Sequence, residues 1–95
     1  MTLVRRFEVY GRVQGVGFRF FVWRRAESIG LTGWVRNRRD GSVEVLAGGD
    51  TERLELFLEL LREGPRFARV DRVAVVEEDP SALGGCAGFD VHRDT

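Results

Sequence analysis

Between residues 11 and 19 the chain passes from an apolar, strand-like run into a helix-like one: Gly11-Arg12-Val13-Gln14-Gly15-Val16-Gly17-Phe18-Arg19. No other stretch constrains the fold as much. A strand that feeds a helix through a short turn, with a second strand to follow in the same sheet, makes those two strands parallel. The turn also has the makeup of an anion cradle. Glycine lets the backbone adopt positive φ and approach a ligand closely. Successive N–H groups in such a loop converge into a nest. A helix that begins there adds unpaired N–H groups and the positive end of its dipole. Arg19 at the helix start supplies a planar fork that matches two phosphate oxygens. The expected site is therefore a phosphate- or carboxylate-binding turn made of Gly15, Val16, Gly17, Phe18 and Arg19.

The remaining elements follow from periodicity. Residues 3–13 alternate loosely, with Phe7 and Val9 on one side and Glu8, Tyr10 and Arg12 on the other, which predicts a first strand. Residues 19–29 carry Phe21, Val22, Ala26 and Ile29 among charged positions, a helix that Gly30 ends. Strands are expected at 32–37 and 42–48, joined by a hairpin at Asp40-Gly41. Asp50 is a good N-cap. Leu54, Phe57, Leu58 and Leu61 then form the core stripe of an amphipathic helix, which Gly64-Pro65 stops. A strand over 70–78, a glycine-containing loop over 80–88 and a short strand over 89–93 complete the chain. The order βαββαβ plus a short strand is the ferredoxin-like split βαβ arrangement. It predicts an α+β sandwich, an antiparallel-type sheet with two helices on one face. Strand three lies between strands one and two, so the ends of strands one and two meet at one sheet edge. Asn37 then comes beside Arg19, at a strand end and outside the core.

Two segments carry a resemblance. Gln14-Gly15-Val16-Gly17-Phe18-Arg19 is one. The other is Gly33-Trp34-Val35, then Asn37, Asp40-Gly41 and Val43-Glu44. Together they resemble the two signature motifs of the acylphosphatase family, in the right order and at the right separation. The likeness runs through the chain to Gly88-Phe89-Asp90-Val91 and is weakest in the tail Arg93-Asp94-Thr95, onto which no function is carried. It implies hydrolysis of acyl phosphates. It also implies that Arg19 binds the phosphate and that Asn37 holds the attacking water. Taken alone, Asn37 reads equally as a residue leading into a turn. Its amide, which both donates and accepts, can orient a water without taking its proton. An acyl phosphate has a good leaving group, so positioning and charge stabilisation are the expected work, with no metal or other cofactor. Inorganic phosphate is expected as product and inhibitor. Acylphosphatase-like domains also occur inside larger proteins that handle carbamoyl phosphate.

Composition narrows the alternatives. Ninety-five residues make one domain, 1–95, and 43% hydrophobic with 32% charged residues suits a globular chain. The formal net charge is zero, so the whole molecule has no long-range pull on nucleic acid or anionic lipid. All 15 basic residues are arginine, and seven of them fall in residues 12–39 against one acid, Glu27. Cys86 is the only cysteine, which favours a reducing compartment. No apolar h-region opens the chain and no run approaches ~18 apolar residues. A cytoplasmic monomer acting on a small-molecule acyl phosphate, with no nucleic acid or membrane partner, is expected. The alternative is a non-catalytic ferredoxin-like module that binds a small phosphorylated ligand or RNA, because this fold hosts many functions. An RNA binder would use exposed sheet aromatics and a basic surface, which the chain lacks. His92 is assigned no role as base or nucleophile, Cys86 none as a reactive thiol, and Glu77-Glu78-Asp79 none as a metal site. Phe18 and Phe21 are expected in the core, with Trp23 partly exposed.

Overall fold

A computed structural model describes residues 2–93. Met1, Asp94 and Thr95 lie outside the described residues, and so does any expectation placed on them. The elements run β1 (Leu3–Arg12), α1 (Phe18–Ile29), β2 (Thr32–Asn37), β3 (Val43–Gly49), α2 (Thr51–Glu63), β4 (Arg69–Glu78), a 3-10 turn (Pro80–Leu83) and β5 (Phe89–Val91). The five strands form one sheet in the order β4-β1-β3-β2-β5. β3 pairs antiparallel with both β1 and β2, so β1 and β2 point the same way and end at the same edge. That is the expected ferredoxin-like layout.

One detail differs: β5 pairs parallel with β2, so the sheet is mixed. The cause lies in the connection after β4. It crosses the end of the sheet at Gly48, where Leu83 packs, and delivers the last strand to the far edge. The loop that the sequence predicts over residues 80–88 is not irregular throughout. Asp79 caps a single 3-10 turn there by accepting from the Ser81 N–H at 2.9 Å.

Strand alternation divides the sheet into two unlike faces. Phe7 lies opposite Val45, and Val45 opposite Val35. These three join Val9 and Ala47 in one buried cluster with Phe18, Val22 and Ala26 of α1 and Leu54, Phe57 and Leu61 of α2. Both helices thus cover the same face. Phe57 sits at the centre, edge-on to Phe7 with ring centroids 5.5 Å apart and to Phe89 at 6.4 Å. Full burial of each such side chain contributes about 1.5–3 kcal/mol. The other face carries ion pairs. Arg36 Nε meets Glu44 Oε1 at 2.7 Å, Arg38 Nη1 meets Glu8 Oε2 at 3.2 Å, and Arg6 Nη1 meets Glu78 Oε2 at 3.1 Å.

Helix ends follow the expected chemistry. Asp50 accepts from the Arg53 N–H at 2.9 Å and opens α2. Gly30 closes α1 in a left-handed conformation and donates to the carbonyls of Ala26 and Glu27. α1 starts differently, and that start is where the site forms.

Candidate active site

β1 ends at Arg12, and Val13 turns into the core before the glycine loop begins. Gly15 and Gly17 both take left-handed φ, 74° and 76°. A Cβ at either position would meet nothing within 4 Å, so the loop needs glycine for its conformation and not for want of space. Val16 packs against the core and Phe18 is fully buried, which pins the loop from beneath. Gly17 is the N-cap of α1 and offers no side chain to its orphan N–H groups. The first turn holds no acidic residue and carries Arg19 instead.

A cleft of about 420 Å³ opens above this helix start. Gly15, Gly17, Phe18 and Arg19 line one side, Asn37 another, and Val91, His92 and Arg93 a third. The fold therefore brings Arg19 and Asn37 together across the edge where β1 and β2 end. Asn37 is the last residue of β2, as expected, but it is 7% exposed and so more enclosed than a free strand end. Its position in the strand puts it on the helix-covered face with Val35 and Gly33, and that explains the burial. Among the described residues, none that lines the cleft is a carboxylate. Among the described residues, no three of His, Cys, Asp and Glu gather as a metal would need.

Three positioning features were not anticipated. Gln14 Nε2 donates to the carbonyls of Arg38 at 2.7 Å and Ser42 at 2.8 Å. Both of its protons are used to tie the glycine loop to the hairpin that follows Asn37. That turn is itself braced: Asp40 Oδ1 accepts from the Ser42 N–H at 2.9 Å and from its hydroxyl at 2.5 Å. These hydrogen bonds hold the Asp40 carboxyl below the usual aspartate range. Arg19 Nη1 donates to the His92 carbonyl at 3.0 Å. The His92 N–H in turn donates to Val35 O at 2.8 Å, and its ring stacks on Trp34 with centroids 5.3 Å apart. The segment after β5 thus bears on Arg19 through backbone, and Arg93 reaches the cleft. The resemblance carries no function onto the tail Arg93-Asp94-Thr95. The parallel pairing of β5 with β2 brings its first residue to the site, and no residue pattern reports that pairing.

Comparison with known proteins agrees with this layout. A family model described as Acylphosphatase matches residues 5–91. The chain is 55% identical over 91 residues to the acylphosphatase of Mannheimia succiniciproducens, covering 96% of this chain and 99% of that protein. The crystal structure of acylphosphatase from Bacillus subtilis superposes with a TM-score of 0.88 at 43% identity, covering 95% of this chain and 98% of that one. Full-length HypF, in a phosphate- and nucleotide-bound form, contains a similar unit. It superposes with a TM-score of 0.87 at 26% identity over 99% of this chain, but over only 12% of its own length.

Proposed function

This chain belongs to the acylphosphatase family and is a hydrolase of acyl phosphates, and from that premise we propose that Arg19, Asn37 and the glycine loop perform the reaction. One observation carries the assignment: Arg19 and Asn37 line the same cleft, over a helix start that no side chain caps. The phosphoryl oxygens bind to the N–H groups of residues 15–19 and to the Arg19 guanidinium. The helix dipole and a nest of amides favour a dianion there. A bound anion would offset the repulsion between the Arg19 cation and the positive end of the helix dipole.

Asn37 holds a water in line with the bond to be broken. The water oxygen bonds to phosphorus as the bond from phosphorus to the acyl oxygen breaks. The bonding electrons leave with the carboxylate, and a phosphoryl oxygen takes the water's proton. The products are a carboxylate and inorganic phosphate. A carboxylate leaves readily, so the protein's contribution is orientation and charge stabilisation.

The same reading makes the enzyme metal-independent, since Arg19 and the loop amides supply the positive field. It makes one chain the active unit, because a single chain supplies both sides of the cleft. No helix among the described residues is long and apolar enough to cross a membrane. The single cysteine supports a cytoplasmic setting.

Release of phosphate from acetyl phosphate or benzoyl phosphate by the purified protein is the direct test. Activity should survive EDTA, and inorganic phosphate should inhibit competitively. Activity lost in chelator and restored by a divalent ion would overturn the metal-independent mechanism. Salt-sensitive RNA binding without hydrolysis would return the binding-module alternative.

A further inference from the structure

The phosphate cleft does not end at the glycine loop. A groove of about 370 Å³ continues from it along α1, lined by Gly17, Phe20, Phe21, Arg24, Arg25, Ser28 and Pro65. Gly17 and Phe20 line both spaces. Phe20 is 58% exposed, which nothing in the packing of the fold explains. Its ring tilts against Trp23, with centroids 5.6 Å apart, and the Arg24 guanidinium lies 5.8 Å from its centroid. Arg25 lies 5.3 Å from the Phe21 ring. The groove therefore offers an aromatic wall at the cleft and two exposed cations beyond it, and among the described residues its lining includes no acid.

We propose that this groove is the acyl-group subsite. It takes a flat aromatic acyl group against Phe20, and prefers one that carries a second negative charge toward Arg24 and Arg25. The inference rests on the placement of the phosphate and water given above. In-line displacement puts the nucleophile and the leaving group on opposite sides of phosphorus. With water at Asn37, the acyl oxygen departs away from β2. The groove fits that direction: it leaves the cleft along α1, and its lining includes no residue of β2 or of the β2–β3 turn. Its volume falls within the range of small-molecule sites, about 300–1,000 Å³. Acetyl phosphate, whose methyl group is too short to lie along the ring, leaves the groove unused.

The test compares kcat/KM for acetyl phosphate, benzoyl phosphate and a benzoyl phosphate bearing a para carboxylate. Each variant is judged by how it changes the ratio between substrates, which cancels their intrinsic reactivities. Phe20→Ala should lower the benzoyl-to-acetyl ratio about 3- to 10-fold, the loss of one ring contact. Phe20→Trp should keep the ratio. Replacing Arg24 and Arg25 together by glutamine should lower the para-carboxybenzoyl-to-benzoyl ratio about 2- to 5-fold at low salt. A benzoyl-to-acetyl ratio unmoved by Phe20→Ala, with acetyl phosphate still turned over, overturns the subsite and leaves the phosphate site standing. A charged-to-neutral ratio unmoved by the double arginine variant overturns the preference for a second charge. Wild-type protein that hydrolyses none of the three removes both readings.

Discussion

Arg19 combines a guanidinium opposed to the helix dipole with a hydrogen bond to the His92 carbonyl that sets its direction. Arg19→Ala should cut kcat/KM by roughly 10²–10³-fold, as for loss of a preorganised donor to developing charge. Arg19→Lys should be nearly as poor, because a point charge cannot grip two oxygens and one carbonyl in a single plane. Near-normal kinetics in the lysine variant would show that charge alone suffices. Asn37→Ala should lower kcat roughly 10²-fold or more while phosphate inhibition changes little. Asn37 is buried, so this variant should also lose about 1–2 kcal/mol of stability, read from its urea midpoint. Gln14 acts one step back, as a positioning residue. If it works by setting the hairpin that carries Asn37, Gln14→Ala should lower kcat about 10-fold in the wild type and hardly further in Asn37→Ala. Equal losses in both backgrounds would make Gln14 merely structural. That Arg19 and Asn37 would line one cleft was legible from topology, which brings the ends of β1 and β2 to one edge, whereas taken alone Asn37 reads equally as a residue leading into a turn. Gln14 was visible only as a member of the motif. Its role lies in two carbonyls far along the chain, and a glutamine side chain does not announce which carbonyl it will find.

At the scale of elements, the boundaries read from periodicity lie within a residue or so of those observed for β1 to β4 and both helices. Each of these has an amphipathic face or a capping residue that marks its ends. β5 carries only Phe89 into the core and is too short for a pattern, so its parallel partner was invisible. That strand nonetheless leads to the His92 carbonyl, which accepts from Arg19. The contact makes a distinction that can be tested. His92→Ala keeps the backbone and should leave kcat/KM within about 2-fold, because no base role is assigned to the imidazole and a surface side chain is usually worth little. His92→Pro removes the N–H that donates to Val35 O and should raise KM and the phosphate inhibition constant together, about 5- to 10-fold, through a displaced Arg19. A large fall in kcat for His92→Ala would instead reinstate the histidine as a chemical participant.

On the scale of the whole molecule, zero net charge hides an ordered distribution. The helix-free face is an ion-paired array of Arg6, Glu8, Arg36, Arg38, Glu44 and Glu78, not the basic surface that an RNA-binding sheet would present. Composition gives the balance of charges but does not place the acids beside the arginines. Acid pH tests how that order supports the fold. Asp40, Asp71 and Asp79 all have lowered pKa values, through hydrogen bonds with Ser42, Arg69 and Ser81 respectively. A carboxyl whose folded pKa is below its unfolded one stabilises fully above the unfolded value, about 3.9 for aspartate. That contribution is lost as pH falls through the lower folded value. Stability from these three groups should therefore hold at neutral pH and decline below about pH 4. Asp40 sits in the turn that Gln14 ties to the glycine loop, so it links this general trend to the candidate site. Asp40→Asn keeps an acceptor for Ser42 but loses the charge. Its urea midpoint should lie below that of the wild type at pH 7, and the two curves should converge as the wild-type carboxyl protonates. Curves that stay parallel down to pH 2 would show that the turn depends on the shape of Asp40 and not on its ionisation.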